Sequence, residues 1–93
     1  MFATVRIYTT GSEFADALVE NADELEQTLV EIAGFNAYYL VRTDDGVASV
    51  SIYEDQAGAE ESTRVAAAWV AENLPDLQVT PPQVRTGEVV LDF

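Results

Sequence analysis

Residues 34–73 read GFNAYYLVRTDDGVASVSIYEDQAGAEESTRVAAAWVAEN, and this stretch decides the fold. Phe35–Thr43 and Val47–Tyr53 are rich in β-branched and aromatic residues. Asp44-Asp45-Gly46 between them supplies a tight turn, because Asp and Gly accept the positive φ values that short hairpin loops require. A two-residue loop at Asp45-Gly46 pairs Val41 with Val50 and Tyr39 with Ile52, and sets Arg42, Leu40 and Tyr38 opposite Ser49, Ser51 and Tyr53. A three-residue loop brings Arg42 beside Ala48 instead; the first register is preferred because it keeps a charge away from the helices. From Gln56 to Asn73 the chain reads as a helix, with Asp55 placed to cap it and Ala59, Ser62, Ala66, Trp69 and Val70 as its inner stripe. Leu74-Pro75 ends it, since a residue before proline is pushed out of the helical region.

Working outward, Phe2–Thr9 alternates as a strand, with Ala3, Val5 and Ile7 on one fully apolar face and Phe2, Thr4, Arg6 and Tyr8 on the other. Ser12 is an N-cap candidate. The apolar positions Phe14, Leu18, Ala22, Leu25, Leu29 and Ile32 then mark one side of an amphipathic helix, which Asn21 with Glu24 divides into two pieces if Asn21 acts as a second cap. Gly34 closes this segment as a C′ residue. Beyond Pro81 and Pro82 a last strand is expected over Val84–Phe93, with Gly87 as a bulge. The order β, α, β, β, α, β makes one α+β domain over residues 1–93, ferredoxin-like, with a four-stranded antiparallel sheet and both helices on one face. On this reading the apolar side of the sheet meets the helices. The semi-apolar side, with Phe2, Thr4, Tyr8, Tyr38, Leu40, Ser49, Ser51 and Tyr53, is left for a second copy of the chain to cover.

Composition narrows the chemistry. Seventeen acidic residues face four Arg and no Lys, for a net charge of −13, and there is neither His nor Cys in 93 residues. A phosphate backbone is repelled, so nucleic acid is not an expected partner. Without Cys or His there is no thiolate nucleophile, no Ser-His-Asp triad and no ordinary zinc site. Glu60-Glu61 point in different directions on a helix and Asp44-Asp45 belong to the turn, so no metal site is expected. Met1–Tyr8 alternates and is not a signal peptide, and no run reaches membrane-spanning length, which makes a cytoplasmic location the expectation. Two explanations of the acidic excess stay open: a solubilising surface from a high-GC genome, or adaptation to a salty cytoplasm where self-repulsion is screened.

Ala33-Gly34-Phe35, Tyr38-Tyr39-Leu40-Val41, the Asp44-Asp45-Gly46 turn, Ser49-Val50-Ser51-Ile52-Tyr53, and Ala57–Ser62 running into Ala66-Ala67-Ala68-Trp69-Val70 resemble the dimeric α+β barrel superfamily, and within it the antibiotic biosynthesis monooxygenase-like domains. The resemblance covers nearly the whole chain. It implies a homodimer whose sheets pack face to face, with a small cavity between sheet and helices in each subunit. Some members oxidise quinols without metal or flavin, and others degrade haem with a His on the iron. The lack of His in this chain excludes that haem chemistry.

Trp69, Arg6, Tyr39 and Arg85 are the candidates to line a ligand pocket. An arginine pointing from mid-strand into a buried face must meet a carboxylate, a carbonyl or an anionic ligand, and a carboxylate within the dimer is the expected partner. No catalytic residue is assigned and no cofactor is expected. Two functions follow: a homodimeric protein holding a small apolar or aromatic molecule, or a cofactor-independent monooxygenase acting on an electron-rich aromatic.

Overall fold

The computed structural model describes residues 1–93 and arranges them as β1 Phe2–Thr9, α1 Ser12–Glu20, α2 Ala22–Val30, β2 Phe35–Thr43, β3 Gly46–Tyr53, α3 Gln56–Asn73 and β4 Gln83–Glu88. The four strands form one sheet in the order β2-β3-β1-β4, antiparallel at every neighbour. This is the ferredoxin-like α+β fold, with the first helical segment divided in two at Asn21. No helix is long and apolar enough to cross a membrane.

Local chemistry sets the boundaries. Asp55 Oδ1 accepts the Gly58 backbone N–H at 3.0 Å and starts α3. Gly34 takes φ +85°, the left-handed value that lets α2 hand over to β2. Asn21 does not cap with its side chain; its amide donates back to the Ala17 carbonyl at 2.8 Å and seals the end of α1.

The hairpin differs from both expected registers. Thr43 pairs with Gly46, so the two-residue loop is Asp44-Asp45, and Tyr39 faces Val50, Val41 faces Ala48 and Arg42 faces Val47. The reason lies in β1, which runs close over Gly46. A Cβ there would sit 1.9 Å from the Tyr8 carbonyl oxygen, so Gly46 serves a close approach of strands and the turn moves back one residue. The irregularity expected at Gly87 is absent, since β1 and β4 pair without a shift, and β4 ends at Glu88; the bulge lies between Phe35 and Ala37.

The larger correction concerns the faces of the sheet. Thr4, Tyr8, Ser49, Ser51 and Tyr53, expected at a dimer interface, are buried beneath the helices together with Arg6. Tyr38 and Leu40 pack against the same core, and Phe2 is half-buried on that side. Ala3, Val5, Ile7, Ala48, Val50 and Ile52 occupy the opposite face, with Tyr39 and Val41 beside them. Alternation separates the two sets correctly, but polarity misleads about which set lies inside.

Under the helices the interior has two halves. Phe14, Leu18, Leu25, Leu29, Val47 and Trp69 form an apolar cluster around Tyr8. Burying each of its large side chains contributes roughly 1.5–3 kcal/mol at most. Toward β4 and the start of α3 the interior turns polar, with Thr4, Arg6, Ser49, Ser51 and Ser62 all buried.

Candidate functional site

The polar half is built by a close approach of α3 to β1 and β3. Gly58 and Ala59 open the helix; a Cβ on Gly58 would lie 2.9 Å from the Ala33 carbonyl and 3.0 Å from the Tyr53 ring. Small residues therefore bring the helix down onto the sheet. Thr4 Oγ1 donates to the Ala59 carbonyl at 2.9 Å, and Ser62 Oγ donates to the same oxygen at 2.6 Å.

Arg6 lies at the centre of this contact with 1% of its surface exposed. Its Nη1 donates to Ser49 Oγ at 3.2 Å and Ser51 Oγ at 3.0 Å, its Nε donates to Thr63 Oγ1 at 3.2 Å, and its Nη2 donates to Ser62 Oγ. No carboxylate pairs with it. The ion pairs of the molecule are elsewhere, Arg42 with Asp16 and Arg64 with Glu61, both at the surface. Within the chain the guanidinium meets four neutral hydroxyls, and the expected partner, a carboxylate within the dimer, would have to come from a second copy. Hydrogen bonds from a charged group contribute about 1.5–3 kcal/mol each, enough to offset a burial penalty of several kcal/mol, while the charge itself stays uncompensated.

That charge shapes its neighbours. Burial lowers the guanidinium pKa, opposed by Tyr8, Tyr38 and Tyr53. Burial pushes the hydroxyl pKa of each of these tyrosines up, and the Arg6 charge pulls it partway back. Tyr53 donates to the Leu29 carbonyl at 3.2 Å.

A cleft of about 310 Å³ opens beside Arg6. Arg6 and Tyr8 of β1, Thr63, Ala67 and Val70 of α3, Val84 of β4 and the segment Val79–Pro82 line it. One side is polar and cationic, the rest apolar. A protein of this size needs roughly 300 Å³ or more to enclose a small organic molecule, so the cleft is at the lower bound of ligand sites.

Of the four pocket candidates, Arg6 alone is in this cleft. Trp69, 5% exposed, belongs to the apolar cluster, and its indole Nε1 is the single buried side-chain nitrogen or oxygen without a hydrogen-bond partner. Tyr39 is exposed on the open face, and Arg85, opposite Val5 on that face, is exposed and donates to the Val84 carbonyl. The sequence reading missed Thr63 and the hydroxyls of Ser49, Ser51 and Ser62 as ligands of Arg6. Their signal was present: serines recurring every second residue on β3, and Ser62-Thr63 on the inner side of a helix otherwise lined by alanine. A second, apolar groove of about 590 Å³ runs between α1–α2 and the edge strand β2, past Leu18, Leu25, Leu29, Tyr38 and Tyr39.

No protein-family model matches the sequence, and no curated protein is significantly similar to it. Solved structures share its fold. The haem-degrader MhuD from Mycobacterium tuberculosis, with two haems in its active site, superposes with a TM-score of 0.73 at 19% identity, over 100% of this chain and 99% of its own. A monooxygenase from the gene ActVA-Orf6 of Streptomyces coelicolor, in complex with nanaomycin D, gives 0.62 at 20% identity over 98% and 91%. A dimeric ferredoxin-like protein from an uncultured marine organism gives 0.66 at 14% identity over 99% and 96%. The fold is thus the one that antibiotic biosynthesis monooxygenase-like proteins share. The residues present do not match a haem site built on His or Cys: the chain has neither for the iron, and Tyr8, the cleft's one phenol, has its pKa pushed up by burial, away from the phenolate an iron would need.

Proposed function

We propose that this chain is a one-domain, self-associating α+β barrel protein that holds a small aromatic molecule in the cleft beside Arg6. The carrying observation is the contrast inside that cleft, where Val70, Val79, Pro81, Pro82 and Val84 offer apolar walls against a floor of Arg6 and Tyr8. Apolar walls with a few converging polar groups are what small-molecule sites look like. NMR titration of the protein with 1-naphthol tests it. The expected result is saturable shifts confined to Thr63, Ala67, Val79 and Val84; no shifts, or shifts only along the α1–α2 groove, would contradict it.

Self-association is supported by the open face of the sheet. Ile7, Tyr39 and Val41 are 45%, 59% and 49% exposed there. None of the chain's 17 acidic residues falls among the residues of that face, and Arg85 is its one charge. A strongly acidic protein that keeps acid off one apolar face has prepared that face for contact. The expected solution mass at micromolar concentration is twice that of the chain.

A second reading, cofactor-independent oxygenation, is favoured by Arg6 itself, since a buried cation stabilises the phenolate from which an electron-rich aromatic passes electrons to dioxygen. In that reaction a naphthol and dioxygen become a naphthoquinone and water. Oxygen uptake with 1-naphthol that Arg6→Met abolishes is the supporting result. Binding without oxygen uptake leaves the protein a binding module.

A further inference from the structure

We infer that the molecule held beside Arg6 is an aromatic monoanion, its single negative charge on an oxygen that meets the guanidinium. This rests on the binding reading above and names the chemical class it takes.

A guanidinium carries five N–H donors. Four are accounted for, by Ser49, Ser51, Ser62 and Thr63, which leaves one Nη2 hydrogen without a partner in the chain. The acceptors used are all neutral, so the charge of Arg6 is hydrogen-bonded and yet has no counter-ion. Buried charges are paired in folded proteins unless something else completes the pair. Seventeen carboxylates were available for that task, and the fold brings none to Arg6. The missing partner is therefore an anion from outside the chain, and the cleft lined by Arg6 and by Thr63, which holds Nε, is where it would approach the guanidinium.

Charge and wall chemistry narrow the class. Arg6 is the one charged residue of the cleft, so a single negative charge neutralises it. A phosphate or other dianion would leave one charge buried against Val70, Val79 and Val84, and would be driven off by the −13 charge outside. An apolar, flat body suits the proline and valine walls, while Thr63 and Tyr8 offer hydroxyls at the polar end. Tyr8 makes no side-chain hydrogen bond within the chain, although its hydroxyl-bearing ring borders the cleft.

The probes are 1-naphthoate and 1-naphthamide, which match in shape and differ in charge, titrated calorimetrically into the full chain at neutral pH. The inference predicts at least tenfold tighter binding of naphthoate, a preference that Arg6→Met erases and that Arg6→Lys keeps in part. Ala67→Phe, which fills the cleft from an exposed position on α3, abolishes binding of both probes while the melting temperature is retained. Equal binding of the two probes would overturn the anion inference and leave the binding site standing. Binding of naphthoate that neither Arg6→Met nor Ala67→Phe alters would place the site elsewhere and overturn both. No binding of either probe would also overturn both. Because the comparison of probes on the unaltered chain needs no variant, misfolding of Arg6→Met does not remove the test.

Discussion

The two faces of the sheet carry the opposite of what their chemistry suggests. Beneath the helices lie Thr4, Arg6, Ser49 and Ser51; on the open side lie Val5, Ile7, Val50 and Ile52. A chain seeking only stability would turn the second set inward, because each buried aliphatic side chain contributes more than a hydroxyl that merely exchanges its water for another partner. The inversion has two parts. The inner polar set holds a cation at the edge of a cleft, and the outer apolar set is the proposed contact surface. Each face explains the other, since the apolar area turned outward must find cover and the polar area turned inward must have a use.

The contrast is broken most severely on the open face. Val50→Glu places a carboxylate at the centre of the proposed contact in both copies; the expected outcome is a monomer at micromolar concentration, an association at least 100-fold weaker, measured by light scattering after size exclusion. A mass unchanged by the substitution would remove the open face from the assembly. Next in size is Leu29→Ala, which empties a site 1% exposed in the apolar half of the interior and should lower unfolding stability by about 2–5 kcal/mol in urea. Ile7→Ala, at 45% exposure, should cost under about 1 kcal/mol in dilute protein, with a larger effect at concentrations where two copies meet.

A smaller effect reads the buried tyrosines. Tyr8, Tyr38 and Tyr53 have folded-state pKa values raised by burial above the unfolded value of about 10. Their contribution to stability is fully present below about pH 10 and is lost as pH rises through the folded values, because the unfolded chain releases those protons first. Tyrosinate absorbance should therefore rise late and together with loss of the fold. Early ionisation of three of the four tyrosines would show them to be wet. The smallest expected effect is that of salt: if the acidic excess is adapted to a salty interior, the melting temperature climbs by several degrees from low salt to molar KCl, and a flat response favours genome composition.

Much of this architecture is legible in the sequence. Phe35–Thr43 and Gln56–Asn73 match the observed elements residue for residue, because a hairpin turn, an Asp cap and a proline stop punctuate them with local chemistry. The faces are not legible in the same way. Period-two alternation sorts residues into two sets but does not say which set a helix covers, and the rule that apolar residues go inside fails where a site is built. The register also escapes, since it depends on the passage of β1 over Gly46, a long-range contact. Arg6 is recognisable as a charge in need of a partner, but its hydroxyl ligands come from two different elements, β3 and α3, and meet only in the fold. The placement of acid does not separate the faces either, since β1, β2 and β3 carry no acidic residue on either side.

The central claim is that the inner, polar face holds an anionic aromatic while the outer, apolar face holds another copy. A crystal structure of the protein grown with 1-naphthoate tests both halves at once. The account predicts two chains packed through Val5, Ile7, Val50 and Ile52, with the naphthoate carboxylate against the Arg6 guanidinium and its rings between Val70, Val79 and Val84. Sheets that face solvent, or an Arg6 paired with a carboxylate of the protein and a cleft closed by side chains, would contradict it.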